Sequence, residues 1–280
     1  MSEKQVIVTL EDIRGGMMSD VKLFQGDCLK VMQDLIDDGV KVDLVLTDPP
    51  YDMTLCKWDN IIPFEQMWEK LNKLTYDNTP ILLFGSETFS SHLRLSNEKY
   101  YKYDWIWEKH RASNFIQCNK RPLKYHELIS VFYKKQPVYN KQMIKRESER
   151  VLQAHKTGWQ MTKSPPSDVS IGGGLEGIDV QSWDPYLKNP SQIIKFPALV
   201  NNSNEKVDHP TQKPVKLLKY LIKTYTNEND LVLDFTMGSG STGVACMETN
   251  RNFIGIELDE NYYNIAKQRI QEAKEQRKLI

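Results

Sequence analysis

The chain has 280 residues, enough to bury one large α/β core, or such a core with a small appended region. Its 37 basic and 37 acidic side chains cancel, so any footprint for a polyanion is local and not a property of the whole surface. The cysteines, Cys28, Cys56, Cys118 and Cys246, are scattered with no CxxC pair, which speaks against zinc or a disulfide scaffold and fits a reducing cytoplasm.

Residues 1–20 show no clean period and read as an arm. Glu3, Glu11 and Asp12 without an apolar segment exclude a signal peptide, and no later apolar run is long enough to span a bilayer. Residues 21–24 are a strand, followed by Gly26-Asp27. Cys28, Leu29, Met32, Leu35 and Ile36 then recur at helical spacing, with Asp27 placed to cap that helix. The next stretch, residues 42–51, organises the chain. Its apolar run from Leu44 to Leu46 has no polar face and reads as a strand buried on both sides of a parallel sheet. The run stops at Asp48-Pro49-Pro50-Tyr51, because each proline biases the residue before it away from helix and donates no N–H. Asp48 and Tyr51 therefore fall at the carboxyl end of a buried strand, where open α/β sheets bind ligands. A carboxylate, a proline carbonyl and an aromatic ring form an acceptor edge that suits a planar, amino-bearing ring. The alternative is an Asp-Pro-Pro turn with a surface tyrosine.

Residues 52–60 lack a period and read as a loop over this site. Phe64, Met67, Trp68, Leu71 and Leu74 mark an amphipathic helix, and residues 80–85 another buried strand. Tyr101, Tyr103, Trp105 and Trp107 share one parity of a strand, and residues 128–133 form the next. Strands separated mostly by helices predict a parallel sheet. After Tyr133 the alternation stops: residues 134–206 are basic at first, then rich in glycine and proline, and so are either functional or disordered. Regularity returns at His209-Pro-Thr-Gln-Lys-Pro214, with Pro214 as the first residue of a helix striped by Leu217, Leu218, Leu221, Ile222 and Tyr225. A strand at 231–234 leads into Gly238-Ser-Gly240-Ser-Thr-Gly243 and a short helix. A strand from residue 252 ends near Glu257, and a closing helix buries Tyr263, Ala266, Ile270 and Ala273 behind an Asp259 cap.

The glycine segment is a G-x-G-x-x-G between strand and helix, with Glu257 placed to hold a ribose. Read alone, it indicates a nucleotide-type cofactor, NAD by default, or merely a tight strand-to-helix turn. A P-loop is excluded, since no lysine follows the last glycine. Only one strand remains after Gly243, so the sheet must be completed by the first half of the chain. That brings Asp48-Pro-Pro-Tyr51 beside the glycine loop, an arrangement better suited to a group transferase than to a dehydrogenase.

Thr47-Asp-Pro-Pro-Tyr51, the strand–GSGSTG–helix unit, Glu257 and His209-Pro-Thr-Gln-Lys-Pro214 together resemble the β-class amino-methyltransferases of DNA, from Gly26 to about residue 269. Trp107-Glu108-Lys109 and the segment 126–132 resemble the family's next strands. The resemblance implies a Rossmann-like α/β fold, a mostly parallel doubly wound sheet with permuted motif order. Residues 21–133 would be its catalytic half, 134–206 an inserted target-recognition region and 207–280 its cofactor half. It implies that Asp234, Gly238 and Gly240 hold the methionine part of S-adenosylmethionine, Glu257 the ribose and Asp27 the adenine, with Thr211, Gln212 and Lys213 near the carboxylate. Asp48, Pro49, Pro50 and Tyr51 would be the catalytic set, with Asp48 also facing the cofactor. No metal is called for. The implied substrate is an exocyclic amino group in DNA, N6 of adenine in preference to N4 of cytosine, since Asp48 stands where cytosine enzymes commonly carry serine. Within residues 134–206, Trp159, Gln160, Gln181 and Trp183 would read bases. A homodimer and a cognate restriction endonuclease are compatible partners. One departure stands out: Thr236 occupies a place where the family usually has phenylalanine, with Phe235 before it.

Overall fold

Apolar runs without a polar face become the central strands. A computed structural model describes residues 20–51, 61–146, 184, 186–200, 203, 205–207 and 209–277. These divide into two units, one made of residues up to 140 with 192–280, the other of 141–191. The first unit carries β1 (Val21–Gln25), α1 (Cys28–Asp37), β2 (Leu44–Thr47), α2 (Phe64–Leu74), β3 (Ile81–Gly85), α3 (Phe89–Leu95), β4 (Tyr101–Glu108) and β5 (His126–Phe132). In the second unit β6 (Ile144–Lys145) and β7 (Leu187–Lys188) pair with each other. Back in the first unit follow β8 (Ile193–Lys195), α4 (Val215–Tyr225), β9 (Leu231–Asp234), α5 (Ser241–Met247), β10 (Asn252–Glu257) and α6 (Glu260–Arg277).

The eight strands of the main sheet run in the order β1-β10-β9-β2-β3-β5-β4-β8. Every pairing is parallel except those that β5 makes with β3 and β4. The expected parallel alternation therefore breaks at one strand. Residues 109–125 contain only a single turn of 3-10 helix, Phe115–Gln117, so no crossover helix carries the chain back, and the return to β5 is antiparallel. The strand β8 adds an edge to β4 in a stretch for which the sequence suggested no regular element.

Alternation along β2 assigns the two faces. Leu44 and Leu46 point into a core built with Leu217, Leu221 and Ile222 of α4 and with α5 and α6. Val45 points the other way, into a core with Met32 of α1, Leu71 of α2 and Leu93 of α3. Helices α1–α3 cover one face and α4–α6 the other, the doubly wound arrangement. Local signals set the helix starts. Asp27 caps α1, its carboxylate accepting the Lys30 N–H at 3.0 Å, and Asp259 does the same for α6 through the Asn261 and Tyr262 N–H groups. Pro214 lies one residue earlier than expected. Its ψ of 131° keeps it extended as the cap of α4, and its carbonyl accepts from Leu217 and Leu218.

Gly240 turns the chain from β9 into α5 with φ at +77°, and α6 crosses directly over it. An added Cβ would lie 2.8 Å from Ala266 Cβ and 2.9 Å from its Cα. Since the nearest obstruction includes backbone, Gly240→Ala is expected to destabilise the protein by about 1–3 kcal/mol. Urea unfolding followed by circular dichroism measures this, and an unchanged midpoint would refute the packing assignment.

Candidate active site

The carboxyl ends of β1, β10, β9 and β2 open on the same edge of the sheet, because these neighbours are all parallel. Pairing of Leu44 with Val232 and Val45 with Leu233 brings the two motif strands into register. Just past that register Thr47 Oγ1 donates to Asp234, lies 2.8 Å from Thr236 Oγ1, and Thr236 Oγ1 donates to the Asp48 carbonyl at 3.1 Å. The juxtaposition inferred from strand counting is thus present. Thr236, the departure from the family pattern, makes one of the hydrogen bonds that tie the halves together.

Two hollows meet at Asp48. One is a cavity of 290 Å³ lined by residues that include Asp27, Phe235, Gly238, Tyr262 and Glu257. The other is a cleft of 920 Å³ lined by residues that include Pro49, Tyr51, Lys109 and Glu127. Asp48, Pro50, Thr211, Gln212 and Lys213 border both. A group in the first hollow and a group in the second would approach each other across this shared wall.

In the cavity Glu257 is buried at the end of β10. Its carboxylate accepts the Gly238 N–H at 2.8 Å and the Asp259 N–H at 2.9 Å. Burial raises its pKa above the ordinary value in spite of those bonds. A carboxylate has about four acceptor sites, so acceptor capacity remains for a hydroxyl donor. Of the two loop glycines in the expected cofactor set, only Gly238 lines the cavity; Gly240 is turned toward α6. Gln212 borders the cavity, but its amide is occupied. Its Nε2 donates to the Glu205 carbonyl at 2.7 Å, and its Oε1 accepts the Val207 N–H at 2.9 Å, which fixes the loop ahead of α4.

The wall is electrostatic. Lys213 Nζ forms an ion pair with Asp48 Oδ2, lies 3.5 Å from Glu127 Oε2 and sits over the Phe84 ring. Lys109 holds the other Glu127 oxygen at 2.7 Å. The resemblance implied a cofactor carboxylate as the neighbour of Lys213; the structure sets its ammonium between two protein carboxylates. Burial pushes the Asp48 carboxyl up against the pull of Lys213, and Glu127 adds to the rise. Burial also opposes the charge on Glu127, but Lys213 and Lys109 outweigh it and hold that group below the usual range. For Lys213, burial is outweighed by the two carboxylates and its pKa rises. Tyr51 donates its hydroxyl to Asp48 Oδ1, and its ring packs on Phe89 with centroids 4.8 Å apart.

Glu127 was not among the sequence candidates. Its only signal was its place at the start of a strand that resembles the family, and no local pattern marks a carboxylate whose partner is 86 residues away by number, from Glu127 to Lys213. The expected loop 52–60 and the side chains Trp159, Gln160, Gln181 and Trp183 lie outside the described residues. No helix among the described residues is long and apolar enough to cross a membrane.

Residues 42–268 match the family model described as DNA methylase, of the N6/N4 methyltransferase type. The chain belongs to that family. It is a β-class amino-methyltransferase, with the Asp-Pro-Pro-Tyr half ahead of the glycine-loop half, and the NAD alternative falls because this family transfers a methyl group and not a hydride. The methylase is 25% identical over 274 residues to the type II methyltransferase M1.MboII of Moraxella bovis, covering 89% of this chain and 96% of that protein. It is 25% identical over 264 residues to the DNA adenine methyltransferase YhdJ of Escherichia coli, covering 89% and 82%. The solved structure of an M1.HpyAVI–SAM complex matches with a TM-score of 0.59 at 25% identity, over 89% of this chain and 98% of that one.

Lys213→Met should leave two half-buried carboxylates facing each other without their shared cation, a loss of about 1–3 kcal/mol at neutral pH. The folded Glu127 pKa is depressed, so its contribution is present above its unfolded pKa and fades as pH falls through the folded one. The gap between variant and wild type should therefore hold down to about pH 4.5 and narrow between there and about pH 3, as Glu127 takes up its proton, so that it is smaller at pH 3 than at pH 7. Urea titrations at the two pH values measure it; an equal gap at both would contradict the assignment.

Proposed function

We propose that the enzyme transfers a methyl group from S-adenosylmethionine to N6 of adenine within a specific DNA sequence, with Asp48, Pro49, Pro50 and Tyr51 as the acceptor edge. The observation that carries this is the position of Asp48 on the wall shared by the two hollows. S-adenosylmethionine is the cofactor, and when bound it supplies an activated methyl on a sulfonium. The cavity suits it. Glu257 offers acceptors for ribose hydroxyls, Asp27 one for a ring amino group, and Leu29, Ile62 and Phe235 apolar walls for a ring. An added Cβ at Gly238 would stand 2.8 Å from His209 Nε2, so the loop main chain itself forms part of the cavity wall.

An exocyclic amino group is a poor nucleophile because its lone pair is delocalised into the ring. Asp48 and the Pro49 carbonyl, both acceptors, draw its N–H bonds toward a pyramidal nitrogen whose lone pair points across the wall. No covalent intermediate is required, and positioning does most of the work. With its carboxyl raised by burial, Asp48 is also a suitable acceptor for the proton that the amino group gives up. Extruding the base from the duplex costs a few kcal/mol, of which stacking on Tyr51 returns about 1–3 kcal/mol. C5 methylation of cytosine would need a cysteine nucleophile, and the usual proline-cysteine pair is absent.

Adenine is favoured by the aspartate at position 48 and by the similarity to a relative named as an adenine methyltransferase. N4 of cytosine offers the same amino geometry and is the second reading. Residues 134–206 are proposed as the target-recognition region on their basic, then glycine- and proline-rich composition.

Nucleoside mass spectrometry of DNA methylated by the enzyme should give N6-methyladenine; N4-methylcytosine alone would move the assignment to the second reading. Asp48→Ala should abolish transfer in a tritiated-methyl assay while cofactor affinity measured by calorimetry stays near normal; retained turnover would refute the acceptor edge. Glu257→Gln should weaken the cofactor roughly ten- to a hundredfold at neutral pH. Because burial raises the Glu257 pKa, wild-type affinity should fall as pH drops through that raised value, and the variant should lose this dependence. A wild-type profile that is flat on the acid side would assign the ribose contact to another group.

A further inference from the structure

The connection from β4 to β5, residues 109–125, rises from the same sheet edge as Asp48 and lines the acceptor cleft with Arg111, Ser113, Asn114, Arg121 and Lys124. Its composition is lopsided. Between Glu108 and Glu127 there are five lysines and arginines and no acid, in a chain whose total charge is zero. Arg111, Lys120 and Arg121 are exposed, and none of them pairs with an acid among the described residues. At the tip, Phe115 is 71% exposed and Ile116 98%, a pair of large apolar side chains held in water.

The tip is not a loose end. Asn114 clasps the neck, its Oδ1 accepting the Lys124 N–H at 2.6 Å and its Nδ2 donating to the Pro122 carbonyl at 3.0 Å. Below the clasp, the Ser113 N–H donates to the Lys124 carbonyl at 3.0 Å. Above it, the 3-10 turn presents Phe115 and Ile116 on a frame closed by the bond from the Arg121 N–H to the Gln117 carbonyl. Exposing two apolar side chains on a pre-ordered frame is costly in water unless a partner covers them.

We propose that Phe115 and Ile116 form a wedge that enters the DNA stack beside the target base, while Arg111, Lys120 and Arg121 grip the flanking phosphates. This rests on the reading of the cleft as the acceptor site of a DNA methylase and says how that site opens the duplex. Extruding a base leaves a gap between its former neighbours, and apolar side chains of this kind fill and hold open such gaps in kinked DNA. The three cations supply the attraction that brings a polyanion to this rim. Residues 134–206 would then choose the sequence, and the β4–β5 loop would drive the flip at whichever site is chosen.

The test uses the full chain and an oligonucleotide duplex carrying the site it methylates, as mapped by modified-base sequencing. The target base is either normally paired or set opposite an abasic position, where extrusion is easier. The double variant Phe115→Ala/Ile116→Ala should lose at least about tenfold in kcat/KM on the paired duplex and less than about threefold on the abasic one. Arg121→Gln with Lys120→Gln should instead weaken binding to both duplexes and lower the slope of affinity against salt by about 2. Both side chains of the wedge are exposed, so cofactor affinity should be unchanged, which checks the fold. Equal losses on the two duplexes, or none, would overturn the wedge. So would a shift from dimer to monomer in sedimentation of the double variant, which would assign the apolar tip to a second copy of the chain. If the wild type transferred no methyl to any DNA, the functional reading itself would fail, a result distinct from either outcome for the loop.

Discussion

Strands from opposite ends of the chain, β2 and β9, lie side by side, and a short polar ladder fixes how far each runs past the other. Thr47 donates to Asp234 and meets Thr236, which donates to the main-chain carbonyl of Asp48. Burial pushes the Asp234 carboxyl up to about 6, while the Thr242 and Thr47 hydroxyls and the Thr236 N–H favour its charged form. A slip of one residue here would send Leu44 and Leu46 to the opposite face and carry Asp48 away from the glycine loop. Both cores and the site thus depend on one register.

The same wall that separates the two hollows concentrates charge. Lys213 lies between Asp48 and Glu127, and Lys109 completes the row. Buried charges are tolerated only when paired and hydrogen-bonded. Pairing here also orients Asp48, whose oxygens receive Lys213 on one side and the Tyr51 hydroxyl on the other. The carboxylate is therefore held in place, as the proposed reaction, governed by positioning, requires.

Zero net charge is reconciled with a polyanionic substrate by locality. Acidic residues are excluded from the connection between β4 and β5, and that connection borders the cleft. Its antiparallel return, without a crossover helix, is what leaves the segment at the sheet edge where Asp48 opens. The break in the parallel pattern and the positive rim are two aspects of one topological feature.

Much of this was legible in the residues themselves. The Asp27 cap, the proline stop after Thr47, the helical stripe from Leu217 to Tyr225 and the strand–glycine–helix unit are all local patterns, set by backbone sterics and by side-chain period. Counting strands even implied that the two motifs share a pocket. Sheet order beyond that, the reversed direction of β5, the added β8, the turning of Gly240 toward Ala266 and the choice of Lys213 as partner of Asp48 came only with the tertiary structure. Each of these is a contact between segments far apart along the chain. Such contacts are settled by how two faces pack and which buried charges find each other, and the residues on either side carry no local signal of their partner.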